Sequence, residues 1–344
     1  MANPKQLVTR RAAFQGALHE WYRVHHRKLP WREQPSLYKT VVAEFMLQQT
    51  RVATVLPYFD RWLRELPDFD ALAAASEAKV LKLWEGLGYY SRARNLRKLA
   101  QTYVAAPAKP RTPAEWGKLP GIGPYTAAAI TSISFGEPAA VVDGNVVRVL
   151  ARLTGEDRLF RDGSAAAQYF ASLADALIVG ANPGEHNQAM MELGATVCVR
   201  ASPKCLVCPV AKFCAAKRDG NHGRLPRLQP KQSEPMFVIR TFCMYRGALL
   251  LRCGHARARR LAGQHELPEA SDLDVKPAAT ALLAVKRRTI TRFRITESIY
   301  AVRPTAALLN RIAKNKSLEW VPLQQLDRIT LSGPHKRWIR ELCG

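Results

Sequence analysis

The chain has 344 residues, 47% of them hydrophobic, and carries 52 Lys+Arg against 28 Asp+Glu for a net charge of +24. That length has room for two domains with a core each, and the charge excess favours polyanions through phosphate neutralisation and counterion release, which makes nucleic acid the first partner to consider. No stretch approaches 18 consecutive apolar residues, so a hydrophobic spanning helix is excluded; the seven cysteines, with one cluster and three scattered thiols (Cys243, Cys253, Cys343), do not make a disulfide framework and fit a reducing cytosol.

The N-terminal segment up to Lys28 is basic and poor in acids, as transit peptides are. It lacks serine and runs straight into a helical pattern of Phe14, Leu18, Trp21 and Tyr22, so it is read as folded protein. From about 8 to 216 the apolar period stays helical: Val41, Phe45, Val52, Val55, Phe59 and Trp62, then Leu72, Val80, Leu81 and Trp84, recur at three-and-four spacing. This predicts an all-α domain over 1–216.

Within it, Glu44 is the only charged residue of Val41–Leu47. A helix there buries it among apolar neighbours, which raises a carboxyl pKa and suits a general acid near neutrality; the bland alternative is a glutamate that snorkels to solvent. Gln48, Gln49 and Thr50 follow at once, with amides able to bond base edges or fill a gap in a duplex. Leu119-Pro-Gly-Ile-Gly-Pro-Tyr125 joins two helical stretches at about 113–135. Gly121 and Gly123 let the backbone approach a ligand, and the N–H groups opening the next helix make an anion site, as a helix-hairpin-helix needs to grip phosphate. Alone, such a G-x-G is an ordinary turn; beside the charge and the cysteines it points to DNA.

Asp143 stands where an apolar stretch meets a helix, in Val141-Val-Asp-Gly-Asn-Val146. Helix capping is its commonest role, and it is compatible with chemistry: a carboxylate held at a helix start is expected to stay ionised and to stabilise a developing sugar cation. Cys198, Cys205, Cys208 and Cys214 then form a C-x6-C-x2-C-x5-C run. Four thiolates can hold an iron–sulfur cluster, and zinc is less suited because only Cys205 and Cys208 are close in sequence. The cluster would fix a loop carrying Arg200, Lys204 and Lys212.

Residues 217–235 are rich in Pro, Gly and basic residues and read as a linker, lying against DNA or merely solvated. Beyond it the period changes to two. Phe237, Ile239, Thr241 and Cys243 alternate toward Arg246-Gly247 and on to Ala248–Leu251, predicting a β-hairpin. A helix is expected over Ala278–Val285 and a pair of strands over Thr289–Val302, giving an α+β domain over 236–344.

Taken in order, Leu29-Pro-Trp-Arg32, Glu44–Thr50, Trp84-Glu-Gly-Leu-Gly-Tyr-Tyr-Ser-Arg92, Leu119–Tyr125, Val142–Val146 and the four cysteines resemble MutY-type adenine DNA glycosylases over nearly all of 8–216. More weakly, Leu261-Ala-Gly-Gln-His-Glu-Leu-Pro268 and Ser332-Gly-Pro-His-Lys336 are similar to that family's Nudix-like lesion-recognition domain. The resemblance implies a 4Fe-4S cluster on the four cysteines, and a monofunctional enzyme that flips adenine out of a mispair with 8-oxoguanine or guanine and hydrolyses its N-glycosidic bond. Carried over by position, Glu44 would protonate adenine N7, Asp143 would stabilise the oxocarbenium-like sugar, and Tyr125 and Asn145 would support the site. Arg32 and Gln188 would contact adenine, and Gln49 and Tyr89 would wedge into the gap. Tyrosine at 125, where endonuclease III-like chains carry a Schiff-base lysine, implies no efficient strand cleavage.

One departure stands out. Where the family carries Phe-Ser-His, this chain has Ile290-Thr291-Arg292. Arginine offers only donors and cannot accept the N7 proton of 8-oxoguanine, whereas Thr291 can, so weakened discrimination of 8-oxoguanine:A over G:A is expected. His265 stands where tryptophan is usual. The implied partner is double-stranded DNA holding A mispairs, met by a monomer, with no membrane, in the cytoplasm near the nucleoid; repair or replication proteins are further possible partners. The competing readings are a glycosylase of the same fold with another mismatch specificity, such as thymine opposite guanine, and a noncatalytic helix-hairpin-helix DNA-binding protein.

Overall fold

The computed structural model describes residues 4–230, 232–254, 263–290 and 292–343. By backbone proximity the chain sorts into two compact units, one of residues up to 55 with 66–73 and 98–230, the other of 56–65, 74–97 and 231 onward. Thr291 and Leu261 lie outside the described residues.

The first unit is helical. Its core joins Phe14, Leu18 and Tyr22 of helix Arg11–His25 to Val149, Leu150 and Leu153 of helix Gly144–Thr154, and to Ala189, Met190 and Leu193 of helix Pro183–Thr196. Each such aliphatic or aromatic side chain contributes about 1.5–3 kcal/mol when removed from water. The expected helix-hairpin-helix is present as helices Pro113–Trp116 and Pro124–Phe135. Thr112 and Glu115 form a capping box on the first, and Pro124 opens the second, where its missing N–H is no loss. The linker is more structured than its composition suggests. Leu225 is buried, and Arg227–Leu228 pairs in parallel with Leu159–Phe160, because one apolar side chain among the polar ones suffices to pin the segment to the helices.

The second unit packs Trp62 edge-on against Trp84 at 5.6 Å and holds two small sheets. In one, strand Glu234–Phe242 runs parallel to Phe293–Ala301, which pairs antiparallel with Leu282–Ile290. In the other, Ala248–Cys253 pairs with Met244–Tyr245, His265–Glu266 and Leu318–Pro322. The expected hairpin therefore exists only as Met244–Tyr245 against Ala248–Leu249, across a turn with Arg246 and Gly247 at φ 48° and 78°. The residues before it belong to the long parallel strand. The helix expected over Ala278–Val285 is instead one 3-10 turn, Ala279–Ala281, followed by strand Leu282–Ile290. Pairing with the neighbouring strand outweighs the local helix preference of the alanines.

On the inner side of the first sheet, Arg240 donates to Glu297 at 2.6 Å and to Glu266 at 3.2 Å, and Arg288 and His335 also face Glu297. Burial by itself would raise the Glu297 carboxyl; the His335 hydrogen bond and the two arginine charges outweigh it and hold the group down at about 2. None of the helices among the described residues is long and apolar enough to cross a membrane.

Candidate active site

Helix Leu37–Leu47 starts at Ser36, whose side chain accepts from Lys39 N, and buries Val41, Val42, Phe45 and Met46 on several sides. Glu44 goes in with them and is only 7% exposed. It opens onto a cleft of about 490 Å³ in the first unit, lined also by Arg32, Tyr125, Asp143, Asn145 and Gln188. The size suits a single base or small planar ligand. Burial pushes Glu44 up to about 7; a hydrogen bond from Tyr125 and the Arg32 charge oppose this, and Asp143 reinforces it. The carboxyl's Oε2 has no hydrogen-bond partner among the described residues. A buried carboxyl in that state is a proton donor at neutral pH.

Asp143 caps helix Gly144–Thr154. It accepts from the backbone N–H of Asn145 at 2.9 Å and of Val146 at 2.7 Å, and from Asn145 Nδ2 at 2.8 Å. Capping and cleft-lining thus coexist in one residue. Burial still moves its carboxyl up from the ordinary range, against those three bonds and Arg148, so the helix start lowers the proton affinity less completely than the sequence suggested. The two carboxyls remain unequal in kind: Glu44 has an unbonded oxygen, while Asp143 is held as an acceptor. Tyr125, half-buried and within reach of both carboxyl charges, is raised well above an ordinary phenol by its removal from water and by those charges, and stays protonated.

The recognition side of the cleft rests on residues the sequence reading missed. Glu192, fully buried, accepts from Arg27 N, Nε and Nη2 at 3.0, 2.7 and 2.9 Å and from Arg32 Nη1 at 2.9 Å. It therefore fixes Arg32 toward the cleft. Tyr22 donates to Gln188 Oε1 at 3.0 Å, which leaves the Gln188 amide donors for the cleft. The signal for Glu192 was available, since it is the lone charge of Ala189-Met-Met-Glu-Leu-Gly194, the argument already used for Glu44. For Tyr22 no local signal exists.

Gln48 lies just past its helix and donates to Thr126 Oγ1 at 3.4 Å. Gln49 is exposed with φ 56°, and Tyr89, in the second unit, is 49% exposed with φ 48°. Side-chain-bearing residues in this left-handed region carry strain that clusters at functional positions. Gly121 takes φ 79° in the hairpin turn, and Gly123 is the extended cap of the following helix, with no side chain over its N–H groups. Arg292, at the tip of the hairpin between Leu282–Ile290 and Phe293–Ala301, pairs with Glu234 at 3.2 Å and lies over the Phe293 ring.

The side chains of Cys198, Cys205, Cys208 and Cys214 line one pocket, and none is in a disulfide. Its wall is Arg152, 2% exposed, which donates to the carbonyls of Val199, Arg200, His222 and Leu225 and to Cys198 Sγ at 3.4 Å. One turn earlier Arg148 donates to Cys198 O at 2.7 Å, Gly194 O at 2.8 Å and Asn145 Oδ1 at 2.9 Å. Lysine cannot reproduce the Arg152 fork. Arg152→Lys is expected to lose at least roughly 1.5–3 kcal/mol of loop stability, read as faster tryptic cutting at Arg200 and Lys204; unchanged cutting would show that the loop does not depend on it.

Residues 42–173 match the family model described as HhH-GPD superfamily base excision DNA repair protein. The chain is 44% identical over 229 residues to an adenine DNA glycosylase of Rattus norvegicus, covering 63% of this chain and 44% of that protein. The Schizosaccharomyces pombe adenine DNA glycosylase is 40% identical over 230 residues, 60% of this chain and 50% of its own length. The chain thus spans about half or less of these relatives. Among solved structures, a thermostable thymine-DNA glycosylase superposes with a TM-score of 0.54 at 26% identity, over 61% of this chain and 98% of that one. An endonuclease III–DNA complex gives 0.52 at 22% identity, over 64% and 99%. Over residues 42–173 the chain is thus similar to the HhH-GPD superfamily of base excision DNA repair proteins, and over about 60% of its length it is similar to adenine DNA glycosylases.

Proposed function

We propose that this chain is a monofunctional base-excision glycosylase that removes adenine mispaired with 8-oxoguanine or guanine. The observation that carries the reading is a buried, protonated-range Glu44 in the same cleft as a helix-capping Asp143, in a chain similar to adenine DNA glycosylases. Adenine swung from the stack into the cleft would meet Arg32 and Gln188. Glu44 gives its proton to N7, the C1′–N9 bond breaks with its electron pair leaving on the base, and Asp143 faces the cationic sugar until water adds at C1′ and passes its proton to the Glu44 carboxylate, which restores the acid. Asn145 and Tyr125 hold the two carboxyls in position. The described lining of the cleft contains no lysine, which supports base loss without a Schiff base.

Double-stranded DNA is the partner this chemistry requires. Gly121 and Gly123 offer backbone N–H groups to phosphate, and Gln48, Gln49 and Tyr89 are the residues we assign to the gap left by the flipped base. The four thiols line one pocket and suit a 4Fe-4S cluster, whereas zinc sites usually pair their ligands at close sequence spacing and only Cys205 and Cys208 are so paired. Cys198, Cys205, Cys208 and Cys214 would be its ligands, and its contribution is to hold the basic loop in shape.

We assign 236–344 as a Nudix-like domain that reads the opposite base, with Arg292, at the tip of its hairpin, and Thr291 as the contact residues. Since arginine has donors only, 8-oxoguanine:A should be preferred over G:A less strongly than an acceptor at 292 would allow. Single-turnover rates on 8-oxoguanine:A, G:A, 8-oxoguanine:C and T:G duplexes test this. We expect cutting of the first two at a modest ratio that Arg292→His widens and Thr291→Ala narrows. Processing of T:G alone would contradict the assignment, and an unchanged ratio in Thr291→Ala would remove that residue's role.

A further inference from the structure

The outer face of the three-stranded sheet formed by Glu234–Phe242, Phe293–Ala301 and Leu282–Ile290 plays no part in the chemistry above. Register and strand alternation fix its composition. One row across it is Phe237, Thr296 and Arg287; the next is Ile239, Ser298 and Val285; on the other side Pro235, Arg294 and Thr289 line up. The central strand supplies a floor of small hydroxyl residues. Phe237 stands 79% exposed on one side, and Arg287 on the other. Every inward-facing acid of the central strand is on the opposite face, where Glu297 is already satisfied.

Two features make this more than a solvated sheet. Arg287 and Arg294 are diagonal neighbours on one face, roughly 7–8 Å apart by strand geometry, and neither guanidinium has an ion pair or side-chain hydrogen bond among the described residues. Two exposed guanidinium groups so placed concentrate positive charge where an anion can bridge them. Phe237 is a large aromatic left in water beside them, with the free hydroxyls of Thr296 and Ser298 between.

We propose that this face binds an unpaired nucleic-acid strand. A base stacks on Phe237, its neighbouring phosphates lie on Arg287 and Arg294, and the Thr296 and Ser298 hydroxyls bond the backbone between them. A flat face with a projecting ring suits a single strand because a base within a duplex already has both its faces covered. This surface adds to, and does not depend on, the duplex chemistry of the cleft.

The test uses the full chain and a fluorescent oligothymidine of about 10 nucleotides, with a matched duplex as control and 5-iododeoxyuridine crosslinking to locate contact. Phe237→Ala should weaken strand binding about 5- to 150-fold, the usual range for loss of one stacked base, with duplex binding and adenine release unchanged. Arg287→Gln with Arg294→Gln should lower the salt slope of strand binding by about 1.4, two phosphates at roughly 0.7 each. Crosslinks should map to the peptide holding Phe237. Equal strand binding by Phe237→Ala, equal losses on strand and duplex, or crosslinks confined to the helical unit would each overturn the proposal. A chain inactive on every mispair that still shows the Phe237 effect would refute the glycosylase assignment and leave this one standing.

Discussion

Glu44→Gln should reduce single-turnover adenine release by about 10²–10⁴-fold while making the protein more stable at alkaline pH. The first effect follows from removing the proton donor and keeping its shape. The second follows from linkage. Burial raises the Glu44 carboxyl from 4.5 to about 7, so the folded state holds the proton more tightly than the unfolded one, and wild-type stability falls as pH rises from about 4.5 through 7 and stays lowered above it. A shift of that size corresponds to roughly 3 kcal/mol at most. Wild type and Glu44→Gln should therefore melt alike below about pH 4.5, draw apart between 4.5 and 7, and stay apart above neutrality, with the glutamine form the more stable. The wild-type rate should also decline as pH rises past about 7, since the acid must be protonated to act. A rate that survives the substitution, or melting curves that never separate, would remove Glu44 from the mechanism.

The second large effect lies outside the cleft. Helices Gly144–Thr154 and Pro183–Thr196 approach so closely that a Cβ on Gly194 would sit 2.6 Å from Asn145 Cβ and 3.1 Å from Asn145 O. Neither neighbour is the loose end of a long side chain, so the backbone must move. Asn145 bonds Asp143, and Gly194 O accepts from Arg148, so the displacement reaches the capping carboxylate directly. Gly194→Ala should cost about 1–3 kcal/mol in stability and on the order of 10²-fold in rate, as an ångström-scale misplacement of a reacting group does. Assaying well below the melting temperature separates the two: the rate loss should persist where the protein is fully folded. Full activity there would mean that the helices have room the geometry denies them.

These effects show which parts of the molecule were legible in the sequence. Glu44 was, because one charge in an apolar helical run has few places to go, and the helix Leu37–Leu47 buries it as the pattern required. Asp143 was legible as a cap, and the hairpin around Gly121 and Gly123 as a turn between helices. The clustering of the four cysteines followed from their spacing. What sequence could not supply was pairing at a distance. Arg152 reads as one more basic residue of a basic chain, yet it is buried behind the cysteine loop. Tyr22 meets Gln188, and Arg27 meets Glu192, across more than 160 positions. The C-terminal half was misread where local preference and strand pairing disagreed: Ala278–Val285 has helical composition, but its neighbour Phe293–Ala301 draws it into a sheet. The division between the two units falls within the expected linker, but the burial of Leu225 inside that segment was invisible beside so many prolines and charges.

The central claim is that the cleft releases adenine by hydrolysis. The most direct measurement is to incubate the protein with an 8-oxoguanine:A duplex, identify the freed base by mass, and examine the DNA strand before and after hot alkali. The account predicts free adenine, an intact strand that breaks only after alkali, and loss of both signals in Glu44→Gln. Release of another base, strand scission without alkali, or equal adenine release by Glu44→Gln would contradict it.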